Sequence, residues 1–105
     1  MTLLIDINAN KPTYLYLVTS GKADHAYKIG ISTSPEYRLQ NIRETYSVPN
    51  AAIINTKLLD TFAEAERMER SLHQKFRAFQ AIDYSGWEWF CLTDDQLTQL
   101  RTKYD

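Results

Sequence analysis

Two short runs of aromatic and β-branched residues, Tyr14-Leu15-Tyr16-Leu17-Val18-Thr19 and Tyr27-Lys28-Ile29-Gly30-Ile31-Ser32, constrain this chain more than any other feature. Such residues fit a pleated, half-buried surface, and Ser20-Gly21-Lys22-Ala23-Asp24 between the runs supplies turn chemistry. The segment therefore reads as a β-hairpin with a wide loop. Ser34-Pro35-Glu36 follows at once. A serine at the cap, a proline at the first helical position and an acid in the first turn make a helix start, so the hairpin is expected to feed directly into a helix reaching about Thr45. On that helix Leu39, Ile42 and Tyr46 share a face, with Arg38 beside the stripe.

The remainder continues the alternation. Ala52 to Leu59 reads as a third strand, ended by Asp60, and Thr61-Phe62-Ala63-Glu64 has the capping-box pattern of a long helix. Ala65, Met68, Leu72, Phe76 and Phe79 are expected to share its buried face, Glu69 and His73 its edge, and Arg67, Arg70, Gln74 and Arg77 its solvent side. A last strand, Trp87 to Cys91, is expected after Ser85-Gly86. Thr93-Asp94-Asp95-Gln96 caps a closing helix carrying Leu97, Leu100 and Tyr104. The fold class is α/β, more narrowly α+β: a small central sheet of three to four strands flanked by helices. At 105 residues and 44% hydrophobic content there is material for one core and not two. No repeat or linker divides the chain, so residues 12–105 are expected to form a single domain behind a leader at 1–11, either an extra edge strand or a disordered arm.

Charge narrows the partners. A net charge of -1 and an isoelectric point near 6.1 exclude a protein that grips nucleic acid by bulk electrostatics, so any such surface must be a local patch. The single Cys91 forms no internal disulfide, and no apolar run approaches the roughly 20 residues of a membrane span. The start, Met1-Thr2-Leu3-Leu4-Ile5-Asp6, lacks the basic end and long apolar stretch of a signal peptide. A soluble, cytoplasmic protein is the expectation.

Each chemically suggestive residue also has an ordinary reading. Tyr14 and Tyr16 alternate along a strand, where aromatic pairs pack. Arg38 reads as a solvated helix residue paired with Glu36 or a neighbouring acid. Glu69 and His73 read as boundary residues, and Arg67, Arg70, Lys75 and Arg77 alternate with Glu64, Glu66 and Glu69 as a salt-bridged exposed face. Trp87, Trp89 and Phe90 read as core and rim.

The order and spacing of these elements together resemble the GIY-YIG nuclease superfamily over nearly the whole chain. Tyr14-Leu15-Tyr16 matches the first motif and Lys28-Ile29-Gly30 the second. Arg38 follows at the usual interval, and Met68-Glu69-Arg70-Ser71-Leu72-His73-Gln74-Lys75-Phe76 is similar to the metal-binding helix. Tyr27-Lys28-Ile29-Gly30, the run with Glu69, Leu72, His73 and Phe76, and Glu88-Trp89-Phe90 resemble the small phage T5-type and meiotically up-regulated branch. That branch implies a phage or mobile-element origin.

The resemblance implies a mixed or antiparallel sheet and a metal-dependent endonuclease that nicks or cleaves DNA. Glu69 would hold Mg²⁺ or Mn²⁺ through carboxylate oxygen. Arg38 would stabilise charge on the phosphoryl oxygens, a task suited to a planar, permanently charged fork. Tyr16 would take or relay the proton of the attacking water, and since a free phenol has a pKa near 10 this needs nearby positive charge from Arg38, Lys28 or the metal. Lys28 stands where the second motif has a tyrosine and would contact the scissile phosphate in its place; His73, one turn from Glu69, would compensate further. Lys28, Arg38, Arg43 and Arg70 would meet the nucleic acid. The chain departs from the pattern at Tyr14 in place of glycine, at Lys28, and at Ile42, where many members have histidine or tyrosine. The lost tyrosine at Lys28 and the acidic isoelectric point favour an alternative, an inactive module of the same fold that binds nucleic acid, a nucleotide-like ligand or a host protein, whereas Tyr16, Arg38 and Glu69 together favour the enzyme. A purely structural interaction domain working through Trp87 and Trp89 is a third reading. With no appended DNA-reading element, sequence preference would require a homodimer or a protein partner.

Overall fold

Alternation along the first two runs decides which side chains go to which side of the sheet. In a computed structural model describing residues 10–84, 86 and 88–105, the runs form β1 (Thr13–Thr19) and β2 (Ala26–Ser32), paired antiparallel with Tyr16 opposite Gly30 and Val18 opposite Lys28. Successive strand residues point to opposite faces. Leu15, Leu17, Tyr27 and Ile29 therefore pack on one side, and Tyr16, Val18 and Ala26 on the other. The following helix, α1 (Pro35–Glu44), leads to β3 (Ala52–Leu59), which pairs with the free edge of β1. β4 (Trp89–Cys91) pairs with β2, giving the order β3-β1-β2-β4. All three pairings are antiparallel, the second of the two sheet types expected.

Local chemistry fixes the helix starts. The Thr61 hydroxyl accepts from the Glu64 amide (3.1 Å) at the head of α2 (Phe62–Lys75). Thr93 and Gln96 complete a reciprocal capping box on α3 (Asp94–Arg101). At α1 the serine cap is different: the Ser34 side chain makes no capping bond, and Pro35, which needs no amide partner, begins the helix.

Helices cover both faces of the sheet. Leu72 of α2, Phe76 at its C-terminal cap, Leu100 of α3 and Tyr104, in a closing 3₁₀ turn, bury against Leu15, Leu17, Ile29 and Phe90. Ile42 of α1, with Val48 and Ala51, covers Tyr16, Val18 and Trp89. One apolar position falls out of the expected stripe. α2 stops at Lys75 and the chain turns through a 3₁₀ segment at Arg77–Phe79, so Phe76 is buried while Phe79 is 43% exposed. Arg67, Arg70, Gln74 and Arg77 face solvent. Of the leader expected over 1–11, residues 1–9 lie outside the described residues, as do Ser85 and Trp87. No helix among the described residues is long and apolar enough to cross a membrane.

Candidate functional site

The site is built on the face of the sheet beneath α1. Because Tyr16 stands opposite Gly30, its ring can lie flat across the neighbouring strand. A Cβ on Gly30 would come within 2.4 Å of the Tyr16 hydroxyl oxygen and 2.5 Å of Cζ, so only glycine leaves room. Tyr16 is 2% exposed, and its carbonyl accepts a hydrogen bond from the Tyr104 hydroxyl (3.1 Å) on the far side of the sheet. Arg38, from the first turn of α1, brings its guanidinium to the Tyr16 hydroxyl. It also donates from Nη1 to Asn41 Oδ1 (2.6 Å) and lies 5.4 Å from the centre of the exposed Tyr46 ring. The partners described for Arg38 are thus Asn41 and two tyrosines, in place of the Glu36 or neighbouring acid of its ordinary reading.

Lys28 lies on the same face, 5% exposed, and its ammonium is ion-paired with Glu88. The Glu88 carboxylate is about one-third exposed, while the Glu88 carbonyl accepts from the Ile29 amide (3.0 Å), which fixes it beside β2. The lysine is therefore presented already neutralised. Adjacent Tyr27 packs on the opposite face, so it does not stand in for the missing motif phenol.

Glu69, half-buried at the edge of α2, completes the group. Burial, and then the negative charge of Glu88, pushes its carboxyl up to about 7, with Lys28 acting in the opposite direction. The Tyr16 phenol is pushed up to about 12 by burial and by Glu88, an increase that Arg38 only partly offsets. It is thus a proton-bearing phenol at neutral pH. Tyr16, Arg38, Lys28, Glu69 and Glu88 form one electrostatic cluster. A cavity of about 230 Å³ opens over it, lined by Lys28, Arg38, Ile42, Tyr46, Glu88 and Trp89 together with Gly86. Glu69 and Tyr16 are not among its walls; they bear on it through Glu88 and Arg38.

The other expected site residues lie elsewhere. His73 donates from Nε2 to the Ile29 carbonyl (2.7 Å) and packs its ring on Phe90, centroids 5.4 Å apart, so it ties α2 to β2 and does not line the cavity. Arg43 donates from Nε to the Ala51 carbonyl (2.8 Å). Arg70 is exposed and pairs with Glu66 at 3.6 Å. Two residues belong to the site without having been singled out for it. In the sequence Tyr46 belongs to an apolar stripe and Glu88 to a strand ending. A lone carboxylate beside an aromatic strand was the available signal for Glu88.

The raised Glu69 carboxyl has a consequence for stability. The folded protein holds this proton more tightly than the unfolded chain, where the ordinary value is 4.5. Stability is therefore expected to fall as pH rises from about 4.5 to about 7, with the whole penalty present at pH 8. Glu69→Gln, which cannot ionise, is expected to be more stable than the wild type at pH 8 by about 1–2 kcal/mol, a value discounted for the partial solvation of the carboxyl, and equal to it near pH 4. Urea denaturation at both pH values in the presence of a chelator checks this; the same difference at both would refute it.

The donor set defines what kind of cation fits. Among the described residues no group of three or more His, Cys, Asp or Glu side chains could hold a metal ion. The Glu69 carboxylate with Glu88 close by suits a hard cation that keeps most of its waters and shares phosphate oxygens, as Mg²⁺ does, and does not suit a soft metal needing a full protein cage.

Comparison with known families matches the T5orf172 domain over residues 13–105. No curated protein and no solved structure matches.

Proposed function

The chain belongs to the T5orf172 domain family, a phage-type domain family, and from that premise we propose that it is a small metal-dependent endonuclease of the GIY-YIG type, nicking or cleaving DNA phosphodiesters. The observation that carries this reading is the meeting of Arg38, set against the buried Tyr16 hydroxyl, with the Glu88 carboxylate on the walls of one small cavity, and with Glu69 coupled to Glu88 behind it. Membership of the family is consistent with a nuclease-like or nucleic-acid-related domain.

In the proposed reaction water attacks phosphorus, a new P–O bond forms, the bond to the leaving sugar oxygen breaks, and that oxygen takes up a proton. Arg38 places a permanent positive charge against the non-bridging oxygens, which gain negative charge in the transition state. Tyr16, held as a neutral phenol, offers its O–H on the same side and fixes the distance between Arg38 and the sheet. Glu69, with Glu88 beside it, would hold a divalent cation, which supplies Lewis-acid charge to the phosphoryl oxygens and the attacking water. Neutralising these carboxylates removes two of the influences that raise the Tyr16 phenol and so moves it toward the range in which it accepts a proton. Lys28 reaches a phosphate oxygen only by leaving Glu88.

That ion pair also favours a second reading, in which the same site binds nucleic acid without cutting it. Supercoiled plasmid incubated with the protein in Mg²⁺ or Mn²⁺, against a chelator control, separates the two. Conversion to nicked circles only with the cation, lost in Glu69→Ala, is expected. Retarded but intact plasmid would establish the binding module, and chelator-resistant nicking would refute a metal-dependent enzyme.

A further inference from the structure

The space over Arg38 continues past Trp89. A second cleft of about 400 Å³, whose walls include Lys22, Ser47, Asp83 and Tyr84, shares both Tyr46 and Trp89 with the first. Tyr46 thus stands between them, 47% exposed, with the Arg38 guanidinium on its ring. The far wall is held in place by its own bonds. Tyr84 stacks on the buried Trp89, centroids 4.5 Å apart and planes 22° apart, and its hydroxyl donates to Asp24. Asp24 in turn accepts from the Ser20 hydroxyl (2.7 Å) and the Ala26 amide (3.2 Å), fixing the hairpin loop. Ser47, next to Tyr46, is held at φ 58°, a left-handed conformation that costs a non-glycine residue energy and recurs where a chain clamps a ligand.

Charge in this cleft is net negative: Lys22 stands over the Tyr84 ring at 5.9 Å, and the two carboxylates of Asp83 and Asp24 outweigh it. A second phosphate would gain little here. Aromatic faces with acceptors at the rim suit a nucleobase, whose π-face stacks and whose exocyclic amines donate. In a nucleotide the base lies one sugar away from its phosphate, and the exposed Tyr46 ring stands between the two spaces, above the buried Trp89. We propose that this cleft is a stacking subsite for one unpaired nucleobase of the strand whose phosphate lies against Arg38, with Tyr46 as the platform and Asp83 favouring bases that carry an amino group. The assignment rests on the reading of the first cavity as a phosphate site.

Binding of short single-stranded deoxyoligonucleotides tests it, using wild-type protein under chelation and Glu69→Gln. 2-Aminopurine placed at each position in turn reports stacking by fluorescence quenching, and an abasic residue at the quenched position reports what the base contributes. One quenched position is expected, where base removal weakens binding about tenfold. Tyr46→Leu is expected to erase that penalty and Tyr46→Trp to keep it. An abasic penalty undiminished in Tyr46→Leu, or none at any position while binding still depends on Arg38, would overturn the subsite and leave the phosphate site standing. No binding at all by the wild-type and Glu69→Gln proteins would remove the phosphate site and the subsite together.

Discussion

Arg38→Ala is expected to slow metal-dependent nicking by about a thousandfold while leaving the fold intact. Deleting one preorganised donor from a charged transition state costs about 10²–10³ in rate, and an arginine aimed at a transferring phosphoryl group is worth about 10³–10⁵. Arg38 is placed for the lower end of the larger range, because its guanidinium is held beside a buried hydroxyl and against an aromatic ring while staying partly open to solvent. Its removal also takes away both the hydrogen bond and the positive charge that hold the Tyr16 phenol down, so Tyr16 becomes a still weaker proton acceptor. Stability is expected to change little, since Arg38 is partly exposed and alanine is a good helix former in the first turn of α1. Arg38→Lys keeps the charge but not the fork and is expected to recover only a small part of the rate. Single-turnover cleavage beside a thermal melt measures both quantities, and a loss of less than tenfold would remove Arg38 from the reaction.

The second large effect comes from one methyl group. Gly30→Ala is expected to destabilise the protein by about 3 kcal/mol, because the new Cβ collides with the Tyr16 ring at its rigid, buried end. For a domain of this size that corresponds to a melting temperature lower by about 10–20 °C. The molecules that still fold must carry the Tyr16 hydroxyl away from Arg38, so cleavage is expected to fall in the folded fraction as well. Tyr16→Phe cannot relieve the clash, since Cζ remains at 2.5 Å. Tyr16→Leu in the Gly30→Ala background opens the space and is expected to restore much of the stability and none of the activity. Simple addition of the two single costs in the double variant would disprove the collision.

Most elements were legible because their signals are local. The strand Ala52–Leu59, the Thr61 cap and the Thr93–Gln96 box lie where composition and spacing place them. Tyr16, Arg38 and Glu69 could be nominated from motif order, and the structure brings them into one cluster. What could not be read are the partners those residues acquire across the sheet. Lys28 and Glu88 are 60 positions apart, and their meeting depends on β4 joining the β2 edge, which no periodicity encodes. Periodicity alone also gave no reason to end α2 before Phe79. His73 shows a further gap: an edge position on α2 suggested chemistry, but its partner is a backbone carbonyl, invisible to any side-chain pattern.

The hydrogen bonds on Ile29 and Tyr16 divide the molecule into parts with different freedom to change. The Ile29 peptide is gripped on one edge by the Glu88 carbonyl and from behind by His73, and Tyr104 grips the Tyr16 carbonyl from that same rear side. The strands that carry Tyr16, Lys28 and Gly30 are thus anchored by α2 and the closing turn, on the face away from α1. Surface residues of α1 and of the Tyr84 segment can diverge through evolution, altering what docks over the sheet, while the backbone beneath keeps its alignment. A chain of this length can in this way vary the surface over the sheet and keep the alignment of the Tyr16, Lys28 and Gly30 backbone beneath it, because the two are fastened from opposite sides.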